Sequence, residues 1–66
     1  MTRQRVFVHD MKNSLGIIIG YSQLVLDEMA PDDPRRDDIE EIRKAGERAL
    51  AVMEQWDAAA PGEDVQ

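Results

Sequence analysis

His9 is the one histidine in these 66 residues, and Asp10 follows it directly. Asn13 comes one helical turn later on the same side, provided the segment is helical. A neutral imidazole is a nucleophile, and free imidazole is largely neutral at pH 7. One ring nitrogen can attack phosphorus while the other carries a proton. That proton becomes more acidic as the new bond forms, and a neighbouring carboxylate can orient the ring and take or stabilise it. Asp10 is the candidate for this acid/base role. It reaches the ring from the side, because consecutive helical residues are offset by about 100°. The Asn13 amide has donors and an acceptor, so it can hold a water in line with a phosphoryl group without competing as a nucleophile. Lys12 adds a cation nearby, most simply read as a solvated side chain. On spacing alone, a lone surface histidine beside an aspartate is more often an ordinary solvated pair than a phosphoryl acceptor.

Two helices are expected to carry these residues. The first runs from Thr2 or Arg3 to Met29. Its apolar stripe is Val8, Met11, Leu15, Ile18, Ser22, Val25 and Met29, a heptad seam with one polar member. Ile19 and Leu26 widen that stripe on one side. Ala30-Pro31-Asp32-Asp33-Pro34 then interrupts the pattern. Asp33 is a good N-cap for the second helix, Pro34 suits its first position, and Asp37 and Asp38 favour its positive dipole end. The second stripe is Ile39, Ile42, Gly46, Ala49, Met53 and Trp56, widened by Ala45 and Val52. This helix fades near Ala58 to Ala60, and Pro61-Gly62 stops it. The expected organisation is one domain over residues 1–60, with 61–66 a linker or disordered tail.

The fold class expected is all-α: an antiparallel two-helix hairpin that pairs into a homodimeric four-helix bundle. A chain this short buries a thin core and usually needs a disulfide, a metal or a partner chain. With no cysteine and one histidine, disulfides are excluded and a metal cluster is unexpected. Self-association remains, and stripes this wide need more than one neighbour each. The net charge of −6 argues against a nucleic-acid partner. The longest apolar run, Leu15 to Ile19, is far too short for a membrane span, and no signal-peptide pattern is visible. A cytoplasmic location without direct membrane contact is expected, either free or as a piece of a membrane-attached protein.

The stripe of the first helix centres about 150° from His9, so His9 should face water. Asn13, Gly16, Gly20 and Leu24 fall on its side, with Ile17 close by. Gly16 and Gly20 each cost about 1 kcal/mol relative to alanine in a helix interior. Ile17 and Leu24 expose apolar surface without filling a core. Exposed hydrophobes and tolerated glycines are common, but a docking surface below the histidine explains both features at once.

The order His9-Asp10-x-Lys12-Asn13-x-Leu15 resembles the H-box of the dimerisation and histidine-phosphotransfer (HisKA-type) domain of two-component sensor histidine kinases. Phe7 before the histidine, Gly20-Tyr21 after it and the heptads of the second helix extend the likeness over nearly the whole chain. The box is most similar to the His-Glu-x-Lys-Asn-Pro-Leu form of nitrogen-sensing and related kinases. The resemblance implies that His9 is phosphorylated by ATP bound, with Mg, to a separate catalytic domain, and that the phosphoryl group passes to an aspartate on a response-regulator receiver domain. It makes Asp10 the activating acid and places Asn13 at the position linked to regulator dephosphorylation. Ile17, Gly20, Tyr21 and Leu24 fall where receivers dock, and Gly16 adjoins them. Two residues depart from the family pattern: Ser14 stands in place of the usual proline, which should leave the helix straighter, and Asp10 in place of the commoner glutamate.

No Gly-rich phosphate loop is present, so this chain is expected to bind no cofactor and not to autophosphorylate alone. It is then an enzyme only as part of a protein-histidine kinase, with a sensor module before Met1 and the ATP-binding domain after Gln66. Two alternatives are an ATP-independent histidine phosphotransferase of a phosphorelay and a purely structural coiled-coil dimeriser.

Overall fold

A computed structural model describes residues 3–59 of the chain. Helix α1 spans Arg3–Glu28 and helix α2 spans Arg36–Ala59. There is no strand among the described residues. Both helices occupy the segments the periodicity marks; α1 stops one residue short of Met29, and α2 begins at Arg36, two residues after the expected first position at Pro34, because Pro34 and Arg35 form a turn ahead of it. Helix α1 runs unbroken through Ser14, which retains the backbone N–H a proline would lack. The tail from residue 61 onward lies outside the described residues.

The turn is built from local hydrogen bonds. The Asp33 N–H donates to the Ala30 carbonyl at 3.1 Å, closing a β-turn with Pro31 at its second position. Asp33 then caps α2. Its Oδ1 accepts the Arg35 N–H at 2.9 Å, and its carbonyl accepts the Arg36 N–H at 3.0 Å. The Arg35 guanidinium doubles back on the same carboxylate, with Nη2 3.0 Å from Oδ2. Those bonds hold the Asp33 carboxyl below the usual carboxylate range, the side-chain bond from Arg35 being the largest cause. Asp37 and Asp38 lie in the first turn of α2, at the positive end of its dipole.

The helices fold back on each other, because Arg36 reaches Leu26 beside the turn and Gly46 lies against Ile19 further along. Val8, Leu15, Ser22 and Leu26 are buried on α1, and Gly46 is buried on α2. Ile19, Met29, Ile39, Leu50 and Met53 are half-buried beside them. The buried Ser22 hydroxyl is satisfied within its own helix, donating to the Ile18 carbonyl at 2.7 Å. Arg43, half-buried on α2, is held by Glu40 at 2.6 Å and Glu47 at 2.9 Å, one turn before and one turn after it.

The single broad stripe expected on each helix divides into two faces. Leu26 and Ile19, expected at the margin of the α1 stripe, lie in the hairpin seam itself. Leu50, absent from the expected α2 stripe, joins the seam from the other side. Ile18, Val25, Ile42, Val52 and Trp56 instead stand 41–49 % exposed. The reason is geometric: one neighbouring helix covers only a narrow arc of a cylinder, and these stripes exceed it. A second apolar face is therefore left uncovered along both helices. No described helix is long and apolar enough to cross a membrane.

Candidate functional site

Helix α1 sets His9 against solvent because Val8, its neighbour in sequence, is drawn into the hairpin seam. Val8 is 1 % exposed, and the side chain one residue on is carried about 100° around the helix. The His9 side chain is 84 % exposed and that of Asp10 75 %. Imidazole Nδ1 lies 3.8 Å from Asp10 Oδ1, so the carboxylate approaches one ring nitrogen and leaves Nε2 toward water. This separation is longer than a hydrogen bond, and a small side-chain rotation or one bridging water closes it. Asn13 is exposed one turn below, on the same side of the helix.

Lys12 departs from the simple solvated reading: it is half-buried. Its place in the helical repeat lies about 40° from Val8, at the margin of the seam on the His9 side, and a lysine stem can lie along apolar surface with its ammonium at the rim.

Below the histidine, Ile17, Gly20, Tyr21 and Leu24 line a shallow, open depression on the outer face of α1. Ile17 is 53 % exposed, Tyr21 66 % and Leu24 48 %. The structure thus brings together four of the five residues expected to form a docking surface, and Gly16 lies just beyond them. Nothing stands within 4 Å of where a Cβ on Gly16 or Gly20 would project. Hairpin packing does not require either glycine. Their cost in helix propensity is not offset inside this chain.

Sequence reasoning passed over Val6. It is 43 % exposed and lies three residues before His9, on the same side of α1. Apolar surface therefore flanks the imidazole from above as well as below, a feature legible in the i, i+3 spacing. Tyr21 was reachable only through family resemblance, since its helical angle lies well away from that of His9. Among the described residues, no three His, Cys, Asp or Glu side chains converge as metal donors.

An exposed imidazole with a carboxylate near one nitrogen and open approach to the other has the chemistry of a nucleophile that a partner molecule can reach. The sequence model of the His Kinase A (phospho-acceptor) domain matches residues 5–61. No curated protein and no solved structure matches the chain.

Proposed function

Because this chain belongs to the His Kinase A (phospho-acceptor) domain family, we propose that His9 is the phosphoacceptor of a sensor histidine kinase. ATP, with Mg, is carried by a separate catalytic domain of the same protein. The Nε2 lone pair attacks the γ-phosphorus in line with the bond to ADP. The N–P bond forms, the P–O bond breaks, and its electron pair leaves with ADP. The proton on Nδ1 grows more acidic and is taken up or stabilised by Asp10. A receiver-domain aspartate then attacks the phosphoryl group, the N–P bond breaks with its electron pair on Nε2, and any proton held by Asp10 returns to Nδ1, so that His9 leaves as neutral imidazole. Asn13 holds a water in line with the acylphosphate of the docked receiver, supporting its hydrolysis.

The observation that carries this reading is the His9 ring, 84 % exposed with its Nδ1 facing Asp10 at 3.8 Å. A ring packed into the seam could not be reached by either a nucleotide or a receiver. The depression at Ile17, Gly20, Tyr21 and Leu24 supports the second half of the reading, since a receiver must seat close to His9 for transfer to occur.

The uncovered apolar face of both helices supports homodimerisation. Ile18, Val25, Ile42, Val52 and Trp56 would be buried between two hairpins, completing a four-helix bundle. Residues 1–60 then form the dimerisation and phosphotransfer unit, and residues 61–66 lead onward to the catalytic domain.

Incubation of the protein that contains these residues with ATP tests the proposal. Acid-labile, base-stable phosphate on His9, lost in His9→Gln and chased onto a receiver aspartate, is the expected result. Label that reaches His9 only from a phosphorylated receiver would make the chain a relay phosphotransferase instead. An unchanged parent protein carrying His9→Gln would leave only a structural dimeriser.

A further inference from the structure

The contact between Gly46 and Ile19 does more than fill the hairpin seam. A Cβ on Gly46 would stand 2.9 Å from Ile19 Cγ1, 3.7 Å from Ile19 Cδ1 and 3.8 Å from Ile18 Cγ2. The first separation is too short for any real pair of carbons, so something would have to move. Cγ1 is bonded directly to the Ile19 Cβ and is not a free end. A β-branched side chain in a helix holds essentially one χ1 rotamer, so Ile19 cannot swing aside cheaply. The displacement passes to the backbone of α1.

That stretch of backbone serves three faces at one level. Ile18 stands on the uncovered apolar face, Ile19 sits against Gly46, and Gly20 floors the depression. Rotating or lifting α1 at Ile19 therefore re-aims Ile17, Gly20, Tyr21 and Leu24. A glycine inside a helix costs about 1 kcal/mol relative to alanine. At positions 16 and 20 a methyl group would meet nothing, whereas at 46 it would meet the facing helix.

We propose that Gly46 is a positioning residue for the outer face of α1: by admitting Ile19 it sets the rotation of that helix and so the shape of the depression below His9. Its consequence for transfer rests on the phosphotransfer reading above. Its structural content does not.

The test uses Gly46→Ala alone, with Ile19→Ala and with Ile19→Val. Valine keeps a carbon at both γ positions, so it retains the clash, whereas alanine removes it. Amide chemical shifts of Gly16, Gly20 and Leu24, read in the 66-residue chain, should move in Gly46→Ala. They should return in the Ile19→Ala double variant and not in the Ile19→Val one. Circular dichroism checks that each variant remains helical. For transfer, the chain is charged on His9 with phosphoramidate. The acceptor is whichever receiver domain of a panel wild type charges fastest. Gly46→Ala should raise the KM for that receiver by about 5-fold or more with kcat within about 2-fold, and Ile19→Ala should restore it. Unmoved outer-face amides in a folded Gly46→Ala overturn the proposal, as does equal rescue by valine and alanine. A wild-type chain that charges no receiver counts against the phosphotransfer reading, while the amide shifts still decide the role of Gly46.

Discussion

Arg36 Nη1 donates to the carbonyl oxygen of Leu26 at 2.9 Å, tying the first residue of α2 to the last turn of α1. The final carbonyls of a helix have no partner within it, and a cation there also meets the negative end of the dipole. No basic residue lies in the last turn of α1 itself. The cap comes across the turn from the other helix, so it closes the hairpin as well as finishing α1. Arg36→Met keeps most of the apolar stem and removes the donor. It should destabilise the fold by about 1–2 kcal/mol. Thermal denaturation at fixed chain concentration should show a melting temperature several degrees lower, with helical content at low temperature unchanged.

Asp33 makes the start of α2 sensitive to acid. Its folded carboxyl is held below the usual range by Arg35. The stabilisation is therefore present above the ordinary carboxylate pKa of about 4 and is lost as pH falls through the lower folded value. Asp33→Asn keeps a capping oxygen and removes the charge, while Asp33→Ala removes both. At pH 7 the order of melting temperatures should be wild type, Asp33→Asn, Asp33→Ala. Below the folded pKa the gap between the first two should close. A gap that persists in strong acid would mean that the charge plays no part. Added salt should narrow it at neutral pH, since the Arg35 guanidinium is exposed.

The uncovered face should be the seat of self-association. Ile42→Asp places a charge where 49 % of an isoleucine is now exposed to solvent. In a two-fold dimer each substitution acts twice. Loss of roughly 1.5–3 kcal/mol per buried side chain, counted twice, corresponds to about a 100-fold or greater weakening of the dimer. Sedimentation of wild type and Ile42→Asp at micromolar concentration measures this. A wild-type monomer under those conditions would remove the bundle from the proposed function.

Gly20 should tolerate substitution structurally and not functionally. A Cβ there meets no atom within 4 Å. Gly20→Ala should raise helix stability by up to about 1 kcal/mol. Gly20→Leu should keep the fold and the dimer while filling the depression. Its transfer to a receiver should fall about 10-fold or more, from loss of a close-fitting contact. Equal transfer rates in wild type and Gly20→Leu would leave the depression without a docking role.

Asp10 and Asn13 should separate the two halves of the chemistry. Asp10→Asn removes the proton acceptor at Nδ1, and positioned acid/base groups contribute at least about 100-fold. The rate of His9 phosphorylation by ATP in the parent protein should fall by about that factor. Asn13→Ala should leave that rate nearly unchanged and slow dephosphorylation of the receiver. Matching losses in both assays for Asn13→Ala would point to a general disturbance of α1 rather than water positioning.

Much of this molecule was legible before any coordinates. Helix boundaries follow from Asp33, Pro34 and the heptads, because capping and apolar period are local properties. The water-facing side of His9 follows from its angle to Val8 and Leu15. What periodicity could not do was divide a broad stripe between two neighbours. Ile18 and Ile19 are adjacent and chemically identical, yet Ile19 meets Gly46 and Ile18 remains 44 % exposed. Leu50 escaped notice for the same reason. It lies beside the expected α2 stripe, and only the rotation of α2 brings it into the seam.

The sequence by itself therefore determined two helices, one turn, an exposed imidazole beside a carboxylate and more apolar surface than one hairpin can cover. The tertiary structure decided the rotation of each helix about its axis. That rotation selects Gly46 as the seat of Ile19 and leaves Ile17, Gly20, Tyr21 and Leu24 to form a depression. The physical reason is one of range. Capping and periodicity act within a turn or two of one helix, whereas rotation is settled by shape complementarity between residues far apart in the chain.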